Sequence, residues 1–537
     1  MVTPTTPRDT YQCEDGTEFP VDWPTGDAPN YAWRWNEDHH PVPLKPLMAA
    51  LDHGPTPGGM HAYEEANVVP PHMFRGFLVA NGFQYARLTP LPPEEMPEYP
   101  ARAEALAAQH GGPARVWETY SLPRVRDACE RLRSFPADTP VADVAFCYDY
   151  AFQLTQVGGP TVLFPPLMAL KGLLTQELGP EGSLLADEVT QGGMNATIES
   201  DQAIWEMAQL ANADRAARDL LDDPVAGLAT LSSWPLEDPF RRAFEAYLET
   251  YRWRGDSWDL ADLTLGEQPH RVLAIVRAAL QAPAPAETAE RVAAARRAAA
   301  LVRVETALSS RPEALERFRA LDASLEGYVG VREGRALWQL TAVGCLRHAI
   351  LAKGAVLVQR GLIDAPDDVL FLLPYEVDRA IAGAGSDYRD LAGRRRTEWE
   401  FWKSKRPPHQ LGAPLPAGPA PFPLAIESTG PVLRGIPASR GVVTAPVRVL
   451  RGLDEADSFQ PGEVLVCAMT SPPWTPLFAI AAAVVTDSGA PLSHPAIAAR
   501  EYGIPCVVGA KDASRKLQTG EIVTVDGAAG TVTRSQS

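Results

Sequence analysis

The residue best placed for chemistry is His494, in the run Thr486-Asp-Ser-Gly-Ala-Pro-Leu-Ser-His-Pro-Ala-Ile-Ala-Ala-Arg-Glu-Tyr-Gly-Ile-Pro-Cys-Val-Val-Gly509. The run reads as strand, glycine-bearing turn, helix, turn and strand. Pro495 suits a first helical turn, where its missing N–H costs no hydrogen bond, and Gly503 with Pro505 ends the helix two turns later. His494 is thereby placed at a helix N-terminus, where unpaired backbone N–H groups and the positive end of the helix dipole disfavour an imidazolium and welcome an anion. A neutral imidazole is a nucleophile, and a phosphoryl group accepted on it would find those N–H groups waiting for its oxygens. The same local pattern also serves a histidine that only caps a helix.

Two further groups carry charge where the surrounding chain is apolar or aromatic. Arg252, Arg254 and Asp256 lie beside Trp253 and Trp258; an arginine there can clamp a phosphoryl group, stack on an aromatic substrate, or form an ion pair between helices. Arg332 and Glu333 follow Gly327 and Gly330 at the start of a long helical stretch, a placement expected to face a cleft. The segment Trp33 to Leu47 holds His39 and His40 among carboxylates and prolines, without a third ligand at metal spacing, and reads as a structural loop. The stretch Glu287 to Arg303, rich in Ala and Arg, reads as a solvated helix face.

The chain that must position these groups has 537 residues, with 49 Lys+Arg against 67 Asp+Glu, a net charge of −18. That balance argues against a nucleic-acid binder, which needs a concentrated positive face. With 45% apolar residues the chain can bury large cores, and the length fits about three domains. Its first twenty residues are polar, and no run approaches the roughly 20 apolar residues of a membrane span, so a soluble cytoplasmic protein is expected. Six scattered cysteines without a C-x-x-C pair are expected to be reduced, buried thiols.

Eight prolines between Pro407 and Pro431 mark a stiff linker, set at residues 406–432. Before it, from about Pro285 to Gly361, apolar residues recur at helical spacing, with Leu315, Phe318, Leu321, Leu325 and Tyr328 as one stripe and Ser310 with Glu313 as a capping box. After it, 441–450, 463–467, 482–486, 506–508 and 521–525 are short β-rich runs, as in a compact α/β domain. The expected fold is multidomain: a loop-rich part over 1–110, a mainly α-helical region over 111–405, the linker, and a C-terminal α/β domain over 433–537.

Asp487 to Gly509 resembles the swivelling phosphohistidine domain of the phosphoenolpyruvate-utilising enzymes, with Ser488-Gly489 in place of Gly-Gly and Pro495 in place of Ala. The entry Gly435-Ile-Pro-Ala-Ser-Arg-Gly-Val-Val443 matches too, with Arg440 where Pro is usual. The middle of the chain is similar to the substrate domain of rifampin phosphotransferase and phenylphosphate synthase. The similarity lies in Gly192-Gly-Met-Asn-Ala-Thr-Ile-Glu199, in Tyr251-Arg-Trp-Arg-Gly255 with Asp259, and in Arg332-Glu333 with Leu362-Ile-Asp-Ala-Pro-Asp-Asp-Val-Leu-Phe-Leu372. Trp253 stands where that family has a histidine, so no acid–base role transfers to it. Arg335 lies one residue before the family's lysine, and Ala336 takes the aligned place.

The resemblance implies a phosphotransferase component. His494 would carry a phosphoryl group to the hydroxyl of a small aromatic or apolar, natural-product-like substrate, with Arg332, Glu333, Arg254 and Asn195 at the substrate. The region before Gly192 has neither a glycine-rich phosphate loop nor the alternating β pattern of an ATP-grasp fold, so ATP and magnesium are expected on an ATP-grasp partner in trans. No metal or cofactor is expected on this chain, nor a nucleic-acid or membrane partner. The alternative is an ATP-independent lyase, dehydratase or cyclase with His494 as general acid or base in a cleft between domains.

Overall fold

The computed structural model describes residues 8–37, 39–51, 56–69, 76–87, 98–280, 286–414, 432–470, 474–491 and 493–535. The chain forms two compact units, each assembled from three pieces. The first comprises Met1–Pro165, Ser257–Leu263 and Trp338–Pro419; the second comprises Pro166–Asp256, Thr264–Leu337 and Ala420–Ser537.

In the first unit, the part expected to be loop-rich carries strands. Arg8–Gln12 pairs antiparallel with Glu18–Asp22. A four-stranded antiparallel sheet runs in the order Phe77–Ala80, Phe83–Arg87, Ala32–Trp35, Gln410–Gly412. The last strand lies within the stretch read as linker: Leu411 sits opposite Trp33 and is fully buried. Residues 415–431 of that stretch lie outside the described residues. Phe19, Trp23, Trp33, Trp35, Phe83, Tyr85 and Trp402 form one aromatic core here, and burying such large rings lets a small sheet hold together. His39 stacks on Trp258 with ring centroids 4.2 Å apart, and His40 is buried, so this segment is packed structure.

In the second unit, the helices Ala196–Ala213, Pro239–Tyr251 and His270–Ala279 close around Met207, Phe240, Phe244, Tyr247, Val272 and Leu273. Asn195 and Asp238 cap two of them: Asn195 Oδ1 accepts from Thr197 N and Ile198 N, and the Asp238 side chain from Arg241 N. The helix expected to open with a Ser310 capping box instead begins at Pro312 with Arg311 at the cap and no side-chain cap. Proline at the first position supplies a helical φ by itself. The helix Tyr328–Gln359 contributes its start, up to Leu337, to this unit.

The C-terminal α/β domain belongs to the same unit. Its eight-stranded sheet runs Val432–Arg434, Thr531–Arg534, Ile522–Asp526, Val442–Val449, Val464–Cys467, Ala483–Thr486, Cys506–Val508, Ile436–Ser439. The four strands from Val442–Val449 to Cys506–Val508 are parallel. Every residue of Val464–Cys467 and Ala483–Thr486 is buried, as a parallel sheet covered on both faces requires. One apolar cluster lies around Trp474, Phe478 and Ala496, another around Val447, Val485 and Val523.

All six cysteines are buried free thiols. Contrary to the reading of the bare sequence, two helical stretches, Val141–Leu178 and Pro312–Gln359, are long and apolar enough to span a membrane. Their apolar windows are 61% and 67% buried within the protein, which marks them as core helices.

Candidate functional site

The turn that carries His494 is built by short-range bonds. Thr486 Oγ1 donates to Ser488 O at 2.7 Å, and the Ser488 hydroxyl to Ala468 O at 3.2 Å. Gly489 holds φ of +119°, a conformation that side chains rarely adopt, and a Cβ there would stand 2.9 Å from Ser493 Oγ. Ser493 is the cap residue, though its hydroxyl donates to Ala490 O and leaves the first helical N–H groups without a side-chain cap. The helix runs His494–Tyr502 and ends on Gly503 in the left-handed conformation. Arg500, buried, donates to Ala438 O at 2.8 Å and Pro491 O at 2.6 Å, pinning the turn to the sheet.

The imidazole is 11% exposed and both ring nitrogens face protein groups. Nε2 lies 3.5 Å from Thr475 Oγ1, the ring packs edge-on to Phe478 at 6.0 Å, and Nδ1 lies 3.9 Å from Glu333 Oε2. Glu333 comes from the helix Tyr328–Gln359, so the ring sits against the helical part of its own unit. The Glu333 carboxyl is itself clamped: Thr197 donates to Oε2 at 2.5 Å and Arg332 pairs with Oε1. Burial alone would raise its pKa, but the Arg332 charge, His494 and Thr197 together lower it to about 2, so Glu333 is a carboxylate.

Two more acids converge on this point. Asn195 Nδ2 donates to Glu501 Oε1 at 2.9 Å, and the Tyr502 hydroxyl donates to Asp201 Oδ2 at 2.7 Å. Burial pushes the Glu501 carboxyl well above the usual range, reinforced by Glu333 and Asp201. Burial raises Asp201 to about 7, with Tyr502 and Arg254 opposing. Arg254, 3% exposed, donates to the Tyr247 hydroxyl at 3.1 Å, and that hydroxyl shares a hydrogen bond with Ser200.

His494, Arg332, Glu333, Asn195 and Arg254 therefore belong to one buried network. Asp256 does not join it, forming an ion pair with Arg271 at 2.8 Å, and Glu199 is exposed. Thr197, Asp201, Thr475, Glu501 and Tyr502 were not singled out from sequence, although Thr197, Glu501 and Tyr502 fall inside the quoted motifs. The stretch read as a solvated helix face is also corrected. Arg296, in the helix Ala286–Leu308, donates to Gly503 O at 2.8 Å and Arg500 O at 3.4 Å, satisfying carbonyls at the C-terminus of the His494 helix. Among the described residues no group of three or more His, Cys, Asp or Glu side chains is arranged to hold a metal ion.

Comparison with known proteins matches residues 459–530 to the PEP-utilising enzyme, mobile domain, and residues 161–333 to the rifampicin phosphotransferase fourth domain. Chondramide synthase cmdD of Chondromyces crocatus is 29% identical over 96% of this chain and 14% of its own length. The uncharacterized phosphotransferase YvkC of Bacillus subtilis (strain 168) is 40% identical over 35% of this chain and 23% of its own. A rifampicin phosphotransferase of a Streptomyces species is 30% identical over 54% and 34% respectively. The chain thus spans about a third or less of each of these relatives.

Proposed function

We propose that this chain, which carries a PEP-utilising mobile domain and a rifampicin phosphotransferase fourth-domain match, is a phosphotransferase component with His494 as its phosphoryl carrier. The observation that carries the reading is the contact between His494 Nδ1 and the ionised Glu333. A carboxylate on that side favours the tautomer with the proton on Nδ1, which leaves the lone pair on Nε2 as the nucleophile. In the first step a P–O bond of a nucleotide breaks as a P–N bond forms at Nε2. In the second, the P–N bond breaks as the substrate hydroxyl oxygen bonds to phosphorus, the hydroxyl proton leaves to solvent, and His494 returns to the neutral form with its proton on Nδ1. Arg332 and Arg254 supply positive charge for the phosphoryl oxygens, since this chemistry depends on positioning and electrostatics.

The substrate class is a small hydroxyl-bearing molecule of apolar or aromatic, natural-product-like character. Support comes from the relatives named rifampicin phosphotransferase and from the similarity of nearly the whole chain to a segment of chondramide synthase. ATP and magnesium would be bound by an ATP-grasp partner in trans, and the need for ATP places the work in the cytoplasm. The test is intact-mass measurement after incubation with ATP, magnesium and a candidate ATP-grasp partner. One phosphoryl mass is expected on the wild type and none on His494→Ala. Absence of any added mass with every partner refutes the reading and favours the second one, in which His494 and Glu333 act together as general acid and base in an elimination or cyclisation.

A further inference from the structure

Polar groups of the C-terminal α/β domain reach the helical part of the same unit, and their chemistry is uneven. Arg440 pairs with Glu181 at 3.0 Å and Glu188 at 2.7 Å, an ordinary partly exposed contact. The Arg500 and Gly503 carbonyls accept from Arg296. Glu501, Tyr502 and His494, by contrast, bring a carboxyl, a phenol and an imidazole onto the buried Asn195, Asp201 and Glu333. Three carboxyls and two guanidiniums thus share one dry site. Arg332 pairs with Glu333, and Arg254 lies toward Asp201. Glu501 has no cation in hydrogen-bond contact among the described residues, and its Oε2 has no hydrogen-bond partner. An unpaired buried carboxylate is far more costly than a neutral carboxyl in the same place.

We propose that Asp201 and Glu501 are positioning residues that seat His494 against Glu333 only while they hold their protons, so that ionisation unseats the His494 helix. The proposal rests on the phosphoryl-carrier reading for the idea that this helix leaves its seat at all. The charged and titratable groups facing the pair are Tyr251 and Arg254 from the helix Pro239–Tyr251 and its following turn, Arg332 and Glu333 from the helix Tyr328–Gln359, and Tyr502 from the His494 helix. Unseating returns both carboxyls to water, where their pKa values fall to about 4. Both are raised in the seated state by burial, Asp201 to about 7 and Glu501 in the same direction. The Asp201 contribution is therefore complete below about pH 4 and is lost as pH rises through about 7, weakening seating about tenfold per pH unit between its two pKa values, and Glu501 acts with the same sign. Glu333 has the opposite sign: its pKa is depressed, so its contribution holds above about pH 4 and fades toward pH 2. Seating is firmest in mildly acidic solution.

The test is hydrogen exchange read by mass spectrometry on the full chain without nucleotide, from pH 5.5 to 8, corrected for intrinsic exchange. Peptides over His494–Tyr502 report seating and peptides over Val464–Cys467 report folding. In the wild type, protection of the first is expected to fall at least tenfold per pH unit up to pH 7 while that of the second stays level. An Asp201→Asn/Glu501→Gln variant is expected to keep its protection across the range, and Tyr502→Phe, which removes one donor and no charge, to keep the wild-type slope at lower protection. A level wild-type profile, or an equal slope in the amide variant, overturns the proposal. Because no phosphoryl donor is present, that failure is distinct from absence of added mass on His494.

Discussion

Asn195 offers the most searching test of the site, because its amide does two jobs that different substitutions separate. Its oxygen caps the helix Ala196–Ala213 by accepting from Thr197 N at 3.0 Å and Ile198 N at 3.1 Å. Its nitrogen donates to Glu501 Oε1 at 2.9 Å in a site where Asn195 is 3% and Glu501 1% exposed. In Asn195→Ala the cap is lost, at about 1 kcal/mol, and a buried carboxyl oxygen loses its donor, at about 1–3 kcal/mol. The expected sum is about 2–4 kcal/mol, or a rise of about 30- to 700-fold in local opening. In Asn195→Asp the cap is kept, and the new carboxylate suits the helix N-terminus. It can also accept a proton from a neutral Glu501, so the cost at pH 6 is expected to stay below about 1 kcal/mol and to grow as pH rises. Hydrogen exchange of the first turn of that helix, compared with the peptide carrying Glu501, reads both effects. Equal losses for the two substitutions at pH 6, or an alanine variant within experimental error of the wild type, would refute the reasoning.

Other outcomes follow from individual geometries. Gly489→Ala is expected to cost about 1–3 kcal/mol from its left-handed backbone, and more from the Ser493 contact, with the loss confined to exchange protection around 486–494. Arg500→Lys keeps the charge but cannot serve Ala438 O and Pro491 O together, so thermal stability should drop by about 1–2 kcal/mol and the His494 ring resonances should shift; unchanged resonances would show that Arg500 does not hold the turn. His40 is buried and its pKa is lowered to about 3, by burial first and then by His39. A depressed histidine contributes stability above about pH 6.5 that is lost toward pH 3, about 1.4 kcal/mol per pH unit. Urea midpoints followed by tryptophan fluorescence should show this slope in the wild type and not in His40→Gln.

The His494 turn was legible from local sequence because every signal for it is local: a glycine whose φ is positive, a proline in the first helical turn and a glycine to end the helix. The buried parallel strands were equally legible as short β-branched runs between turns. The strand Gln410–Gly412 was not, because proline content speaks of backbone stiffness and says nothing about which edge a three-residue strand will join. Arg296 was taken for surface since an arginine in an alanine-rich helix has no local mark of what it will meet.

His494, Arg332, Glu333, Asn195 and Arg254 could be named one by one, from residue type, helix position and motif. That Asp201, Glu333 and Glu501 share one dry volume, and which of them keep their protons there, was decided only by the tertiary structure. Those residues lie 132 and 168 positions apart in sequence. A carboxyl's ionisation depends on water and charge within a few ångströms of it, and spacing along a chain does not specify that distance.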